Sequence, residues 1–437
     1  MSGHPPARTD AAAAEAPSVK GWCPGALRPM LTGDGLIVRV RPRCGALSAA
    51  QLIALSEVAR RHGNGLVDLT RRANLQLRGI DERHLPEVWQ TLSQIGLMDE
   101  SADAESVRNV MVSPLAGIDP PEGFDVRPIA SALEKAIAET PALWALPGKF
   151  GFVIDGGGPL PLDGERADIR LRAIHADTQH TIALGIDTPS GTHWVRLLHP
   201  SHAASAAARL AEEFVRAQKP TARARMRDLD PAAHDALQNA LSDEGTPPDR
   251  TPRPNDTATS RIGAIQISKR IAAVGLGAPL GRLTADALSG LAKAASRIGN
   301  DTFRLSPWRT LYVSTQNEEE AASLLAAGED LGFVVDAANP LMTIDACPGS
   351  PACRSAWADT RHTARQIAAQ LPLPGIGSVH VSGCAKGCAR SKAADLVLVA
   401  GPAGFGIVRH GTATSTSDAV VNPTALIDLP AVLRTGI

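Results

Sequence analysis

Four of the six cysteines in this 437-residue chain fall close together near its C-terminus, as Cys347-Pro-Gly-Ser-Pro-Ala-Cys353 and, thirty residues on, Cys384-Ala-Lys-Gly-Cys388. Four thiolates are what a [4Fe-4S] cubane requires, one for each iron. Small neighbours at Gly349, Ala352, Gly383 and Gly387 let the backbone approach and donate N–H bonds to sulfur. Structural zinc favours tighter knuckles at both ends of its site, and a long chain with few cysteines is no disulfide scaffold. The spacing therefore predicts an iron–sulfur cluster on Cys347, Cys353, Cys384 and Cys388. Cys23 and Cys44 stand singly beside Pro and Gly, and read as small buried hydrophobes.

A second stretch that could do chemistry lies between Leu36 and Ile80. It carries Arg39, Arg41, Arg43, Arg60, Arg61, Arg71, Arg72 and Arg78 against only Glu57 and Asp68. Strand alternation predicts that Arg39, Arg41 and Arg43 share a face while Val38 and Val40 enter the core. The same rule groups Arg72, Asn74, Gln76 and Arg78 opposite Leu75 and Leu77. Guanidinium forks match carboxylates two bonds at a time, so the face suits a ligand with many carboxylates. Nucleic acid is disfavoured, because the segment holds no aromatic residue to stack a base and the net charge of the chain is −1. Read alone, the segment also fits a solvated charged face.

The elements that position these residues are duplicated. Sliding the chain by 236 residues lays Gly45-Ala46-Leu47-Ser48-Ala49 over Gly281-Arg282-Leu283-Thr284-Ala285, with Leu52, Leu55, Ala59 and Arg61 over Leu288, Leu291, Ala295 and Arg297. Gly63-Asn64 falls on Gly299-Asn300, Leu69 on Leu305, Leu75 on Leu311 and Gly96 on Gly332, all without a gap. Each copy reads as strand, helix, strand, helix: Leu36 to Val40 alternates, Ser48 to Arg61 has helical spacing, Val67 to Leu77 is extended and His84 to Ile95 is helical. At the basic positions the second copy has Trp308, Thr310, Tyr312 and Ser314, so an anion-facing role belongs to the first copy alone. The run Gly275 to Gly281 is interrupted by Pro279, and neither it nor Gly156-Gly157-Gly158 opens a nucleotide-binding helix. Residues 1–18 are rich in Ala and Pro, without the basic start or apolar core of a signal peptide, and no apolar run is long enough to cross a membrane. A cytoplasmic protein is expected.

Together these features resemble the nitrite and sulfite reductases, from about Trp22 to Val399. Thr70-Arg71-Arg72-Ala73-Asn74-Leu75-Gln76 is similar to that family's T-x-R-x-x-x-Q pattern, and Arg108-Asn109-Val110 matches its R-N-V motif. Leu146-Pro147-Gly148-Lys149-Phe150-Gly151 is similar to its L-P-x-K-F-K segment, with Gly151 where the second lysine would stand. The family binds sirohaem, an octacarboxylate macrocycle, against a [4Fe-4S] cluster.

The resemblance implies an α+β fold of pseudo-twofold character, with two ferredoxin-like half-domains and two larger α+β domains. The expected order is a disordered leader over 1–20, half-domain 1 over 21–100, a first catalytic domain with the tetrapyrrole-binding motifs over 101–217 and a linker over 218–260 that holds at most one short helix. Half-domain 2 follows over 261–338 and the cluster domain over 339–437. By resemblance Arg72, Asn74, Gln76, Arg78, Arg108 and Lys149 bind the tetrapyrrole, and Cys388 becomes the axial thiolate if sirohaem is bound.

Losing one lysine removes positive charge that an anion-reducing pocket needs. The start Gly21-Trp22-Cys23-Pro24-Gly25-Ala26 resembles instead a short branch of the family that acts on precorrin-3A, an intermediate of aerobic cobalamin biosynthesis. That branch implies hydroxylation by O2, a mononuclear non-haem iron whose ligands have no readable pattern, and electrons from an external reductase fed indirectly by NADH. His175, His180, His193 and His199 read as surface or structural residues rather than iron ligands. A sirohaem-dependent nitrite or sulfite reductase is the alternative, and a non-catalytic tetrapyrrole or iron–sulfur binding protein a further one.

Overall fold

The computed structural model describes residues 22–118, 125–176, 179–217, 224–249, 252, 259–267 and 270–434. These divide into two compact units, one of residues 22–30 and 37–335, the other of residues 31–36 and 336–434. The leader expected over 1–20 lies outside the described residues.

The first half-domain runs β1 (Met30–Thr32), β2 (Gly35–Val40), β3 (Ala46–Ser48), α1 (Ala49–His62), β4 (Leu66–Leu69), β5 (Leu75–Ile80) and α2 (Leu85–Gln94). Ser48 starts α1 with a capping box, its hydroxyl accepting from Gln51 N while the Gln51 side chain accepts from Ser48 N. The apolar stripe Leu52, Leu55, Val58 and Ala59 then faces the core. The stretch Val67 to Leu77, expected as one extended run, is a hairpin: β4 and β5 pair antiparallel with Asp68 opposite Gln76. Thr70 makes the turn. Its hydroxyl accepts from Arg72 N at 3.3 Å and Asn74 N at 3.1 Å, and Ala73 takes a left-handed φ of 52°.

The first larger domain holds α3 (Ala102–Val107), β6 (Val110–Val112), α4 (Arg127–Glu139), β7 (Phe152–Asp155), β8 (Ile169–Ala176), β9 (Gln179–Thr188), β10 (Gly191–Leu198), α5 (Pro200–Ala217) and α6 (Pro231–Asn239). Strands β6, β7 and β8 run parallel, and β9 and β10 continue antiparallel. Helices α4 and α5 pack an aromatic and aliphatic core that includes Phe150, Phe152, Ile154 and Phe214. The expected linker is not a tether over its described part. Met226, Leu237 and Leu241 join this core, and Leu197 and Thr246 exchange backbone bonds at 2.7 and 3.1 Å. Its few apolar residues, spaced among Pro, Asp and Arg, are the ones buried.

The second half-domain repeats the first with β11 (Gly263–Ile267), β12 (Arg270–Gly277), β13 (Arg282–Thr284), α7 (Ala285–Arg297), β14 (Thr302–Leu305), β15 (Thr310–Ser314) and α8 (Glu318–Asp330). The left-handed residues repeat too, Cys44 (φ 50°) with Leu280 (φ 52°) and Ala73 (φ 52°) with Arg309 (φ 59°). Each half lends a strand to the other, giving sheets ordered β1-β2-β5-β4-β13 and β11-β12-β15-β14-β3. The register sets Arg282 opposite Asp68, and Arg304 opposite Ala46. Pairing between chain segments so far apart in sequence makes the two halves one folding unit.

The smaller unit carries β16 (Ile344–Ala346), α9 (Thr360–Ala368), β17 (Val379–Ser382), β18 (Ala394–Gly401), β19 (Gly404–Gly411), β20 (Ala419–Val421) and α10 (Leu429–Arg434). Its sheet has the order of the first larger domain: β16, β17 and β18 parallel, then β19 and β20 antiparallel. The duplication thus extends to both larger domains.

Candidate functional site

In the smaller unit Cys347 follows directly on β16, and Cys384 comes two residues after β17. Adjacent parallel strands therefore deliver the two cysteine motifs to the same sheet end. The Cys347 thiol is buried, and its Sγ accepts from Gly383 N at 3.2 Å. A Cβ at Gly383 would sit 3.4 Å from that sulfur and 2.7 Å from Ala356 Cβ, so this approach requires glycine. Gly349 and Gly387 take left-handed φ values of 69° and 63°, turning each loop back on itself. The Thr360 hydroxyl donates to Cys347 O at 2.7 Å, and Arg390 joins Asp345 at 3.1 Å, tying the segment after Cys388 to the strand before Cys347.

Burial pushes the Cys353 and Cys388 thiols above their ordinary range; the neighbouring cysteines add to this and Lys386 opposes it. All four sulfurs therefore share one neighbourhood. Among the described residues no three His, Cys, Asp or Glu side chains converge to hold a single metal ion. Four thiolates on two loops at one sheet end, with an N–H···S bond and glycine turns, fit a cluster. Among the described side chains no ligand set for a mononuclear iron is assembled either: His180, His193 and His199 are exposed, and the His175 side chain is outside what is described.

In the larger unit a depression is lined by Arg72, Asn74, Asn109, Val110, Met111, Gly151, Phe152 and Arg166. The Thr70 turn presents Arg72, whose Nη2 donates to Lys149 O at 2.8 Å. Asn109 Nδ2 donates to Gly148 O at 3.3 Å and Phe150 O at 3.1 Å, gripping the same loop. Gly151 forms part of the floor. A Cβ there would meet Asn109 O, Arg72 Nη1 and Lys149 O at 3.7 to 3.9 Å, ordinary contact distances, so the backbone does not demand glycine. With its amide oxygen turned towards Arg39, Gln76 accepts from Nη2 at 2.7 Å and Nε at 3.2 Å. Burial lowers the pKa of both Arg39 and Arg72.

The structure brings Arg72, Asn74 and the Lys149 loop together, with Lys149 itself exposed. It withdraws Arg78 and Arg41 of the expected face and Arg108 of the R-N-V motif. Arg78 is 1% exposed and pairs with Asp68 at 3.6 Å, whose carboxylate also takes two bonds from Arg282 at 2.6 and 2.9 Å. Arg108 is 4% exposed and spent on Asp99 at 2.8 and 3.0 Å, Glu134 at 3.4 Å and Arg41 O at 2.9 Å. Burial works against the Arg108 charge, but these carboxylates more than offset it and hold the pKa above its usual value. Arg41, brought down to about 10 by burial and by Arg39, pairs with buried Glu105 at 3.1 Å. From the R-N-V motif it is therefore Asn109, not Arg108, that reaches the depression.

Glu105 also accepts from Ala26 N at 2.6 Å and Leu27 N at 3.0 Å, clamping the strap Trp22–Leu27, and the Arg39 guanidinium lies near Cys23 there. A Cβ on Gly25 would lie 2.3 Å from Glu105 Oε2, which explains that glycine. Sequence reasoning missed Asn109, Glu105 and the buried Asp168 below. Asn109 sat inside a motif already singled out; the two acids had no motif around them.

The arrangement is a thiolate cradle suited to a cluster, and a guanidinium and amide depression suited to carboxylates. The "Nitrite/Sulfite reductase ferredoxin-like half domain" matches residues 28–95 and 266–331, and the "Nitrite and sulphite reductase 4Fe-4S domain" matches residues 103–247. The chain belongs to the nitrite and sulfite reductase superfamily and, within it, to the precorrin-3B synthase family. A precorrin-3B synthase of Sinorhizobium sp is 35% identical over 92% of this chain and 85% of its own length. The ferredoxin–nitrite reductase of Synechococcus elongatus is 27% identical over 85% of this chain and 77% of its own. The solved structure of Mycobacterium tuberculosis NirA superposes with a TM-score of 0.73 at 22% identity, covering 91% of this chain and 80% of NirA. The family carries an iron–sulfur cluster, and the chain is an oxidoreductase of α+β class. No helix among the described residues is long and apolar enough to cross a membrane.

Proposed function

We propose that the chain is a precorrin-3B synthase of the cytoplasm, hydroxylating precorrin-3A at C20 with O2 and closing a γ-lactone from the ring A acetate. One oxygen atom enters the macrocycle and the other leaves as water, drawing two electrons from an external reductase fed by NADH. Cys347, Cys353, Cys384 and Cys388 hold the [4Fe-4S] cluster, which supplies one-electron transfer when bound. Arg72 and Arg166 meet the substrate carboxylates, Asn74 and Asn109 orient it, and Arg39 with Gln76 extends the same polar face. Lys149 adds exposed charge at the rim. With no ligand set for mononuclear iron among the described side chains, no step is assigned to one.

The depression lined by Arg72, Asn109 and Gly151 supports this reading most strongly. A macrocycle needs room beside Arg72, whereas a small oxyanion needs cations, and Arg41 and Arg108 are already neutralised by buried acids. The test is an absorption and EPR spectrum of protein purified without oxygen, with acid–acetone extraction, before and after adding precorrin-3A, reductant and air. A cluster signal without sirohaem, and substrate consumed in proportion to O2, is expected. Extracted sirohaem with nitrite or sulfite turnover would replace this reading by a reductase, with Cys388 as the axial thiolate.

A further inference from the structure

Asp168, at the entry to β8, is fully buried, and its carboxylate collects bonds from two chain segments. Oδ2 accepts from Gly151 N at 2.9 Å and Arg225 Nη2 at 2.8 Å, and Oδ1 from Arg225 Nε at 2.8 Å and Met226 N at 3.0 Å. Its own N–H donates to Gly151 O at 2.8 Å. One residue thus holds Gly151 by both backbone groups while gripping a guanidinium in fork geometry. A buried carboxylate persists only when its lone pairs are filled, and here they are.

Both partners of Asp168 lead to Arg72. Gly151 is the floor beneath its Nη1, and the carbonyl two residues earlier, Lys149 O, receives its Nη2 at 2.8 Å. Arg225 is close enough to act on Arg72 as a like charge, ahead of Arg39. A rigid floor and a neighbouring cation are what fix a flexible arginine in one orientation.

The geometry points to Asp168 and Arg225 as a positioning pair for the carboxylate-binding depression: Asp168 sets the Lys149–Gly151 loop and Arg225 beside Arg72, so that Arg72 presents its fork to an acidic macrocycle. This rests on the depression being the tetrapyrrole site. The competing view makes the pair glue that fastens the 224–249 segment to the sheet and nothing more.

The two views separate by binding of uroporphyrin, an octacarboxylate probe, to the full-length protein carrying its cluster, followed by porphyrin fluorescence. Asp168→Asn and Arg225→Met should each weaken binding about tenfold or more, the scale of one lost charge-assisted contact. The double variant should bind no more weakly than the weaker single one, because the residues act as a unit. Arg225→Lys should recover part of the affinity, and the cluster EPR signal should not change. Should Asp168→Asn fail to fold, Arg225→Met and Arg225→Lys carry the test. If the parent binds and Arg72→Met abolishes binding, yet the Asp168 and Arg225 variants bind as the parent does, the positioning role falls while the site stands. If the parent does not bind the porphyrin at all, both fall.

Discussion

Replacing Glu105 by glutamine should free the N-terminal strap without changing the volume of the side chain. Glu105 is 3% exposed and accepts from Ala26 N at 2.6 Å, Leu27 N at 3.0 Å and Arg41 Nη1 at 3.1 Å. The amide keeps one acceptor but turns the other into a donor facing donors, and leaves Arg41, also 3% exposed, without its counter-charge. Breaking a buried pair on one side costs about 3–5 kcal/mol, or roughly two to three and a half decades in an opening equilibrium. Hydrogen exchange of the Ala26 and Leu27 amides reads this directly, since both N–H groups end on the carboxylate and exchange only when it lets go. Their protection should fall by about that factor, while amides of β8 and β9 keep theirs. The paired replacement Glu105→Leu with Arg41→Met should restore most of it, because an apolar pair leaves no orphaned charge. Unchanged exchange at Ala26 and Leu27 in Glu105→Gln would refute the clamp and, with it, the explanation of Gly25.

Four further outcomes follow from the geometry. Cys388→Ser should abolish the EPR signal of the cluster, and an unaltered signal would remove Cys388 from the ligand set. Asp68→Asn leaves Arg78 and Arg282 buried around a neutral amide, which should cost about 3–5 kcal/mol and lower the first thermal transition; a shift of less than about one degree would contradict it. Gly151→Ala should leave stability within about 1 kcal/mol, since its Cβ meets only ordinary contacts, yet weaken macrocycle binding by filling the floor. Burial and Glu134 push the Cys44 thiol up to about 11, so it is neutral at pH 7. Its alkylation should rise about tenfold per pH unit until near that value, and a plateau at neutral pH would overturn this.

The half-domain duplication was legible because Leu and Gly recur at one spacing without a gap. The strand exchange was not: β3 and β13 are three residues each, and nothing local marks which sheet they join. Charge counting misjudged the arginine face for a similar reason. Arg41 and Arg43 pair with Glu105 and Asp99, both outside the basic segment, so a window around the arginines sees an excess that folding reduces. Arg72, expected on a strand face, is presented by a hydroxyl-capped turn and not by strand alternation. Arg225 was hidden in a stretch whose Pro, Asp and Arg content imitates a linker.

The repeated larger domains explain why the two chemistries sit in opposite copies. In the second, Gly383 N donates to Cys347 Sγ at 3.2 Å between the ends of two parallel strands; in the first, Gly156 N donates to Ser113 Oγ at 3.0 Å between the corresponding ends. The bond is kept while the thiolate becomes a hydroxyl, a poor ligand for iron–sulfur chemistry. The half-domains diverge the other way. The positions of Arg72 and Gln76 become Trp308 and Tyr312, with Arg261 stacked 4.1 Å over the Trp308 ring and the buried Tyr312 hydroxyl donating to Arg261 O at 3.0 Å. Leu115, Leu160, Ile265 and Ile267 then close an apolar cluster against Tyr312. A face sealed in this way does not admit a polycarboxylate, and a loop with Ser113 in place of cysteine offers no thiolate, so the proposed cluster and the proposed carboxylate site each have one copy that suits them.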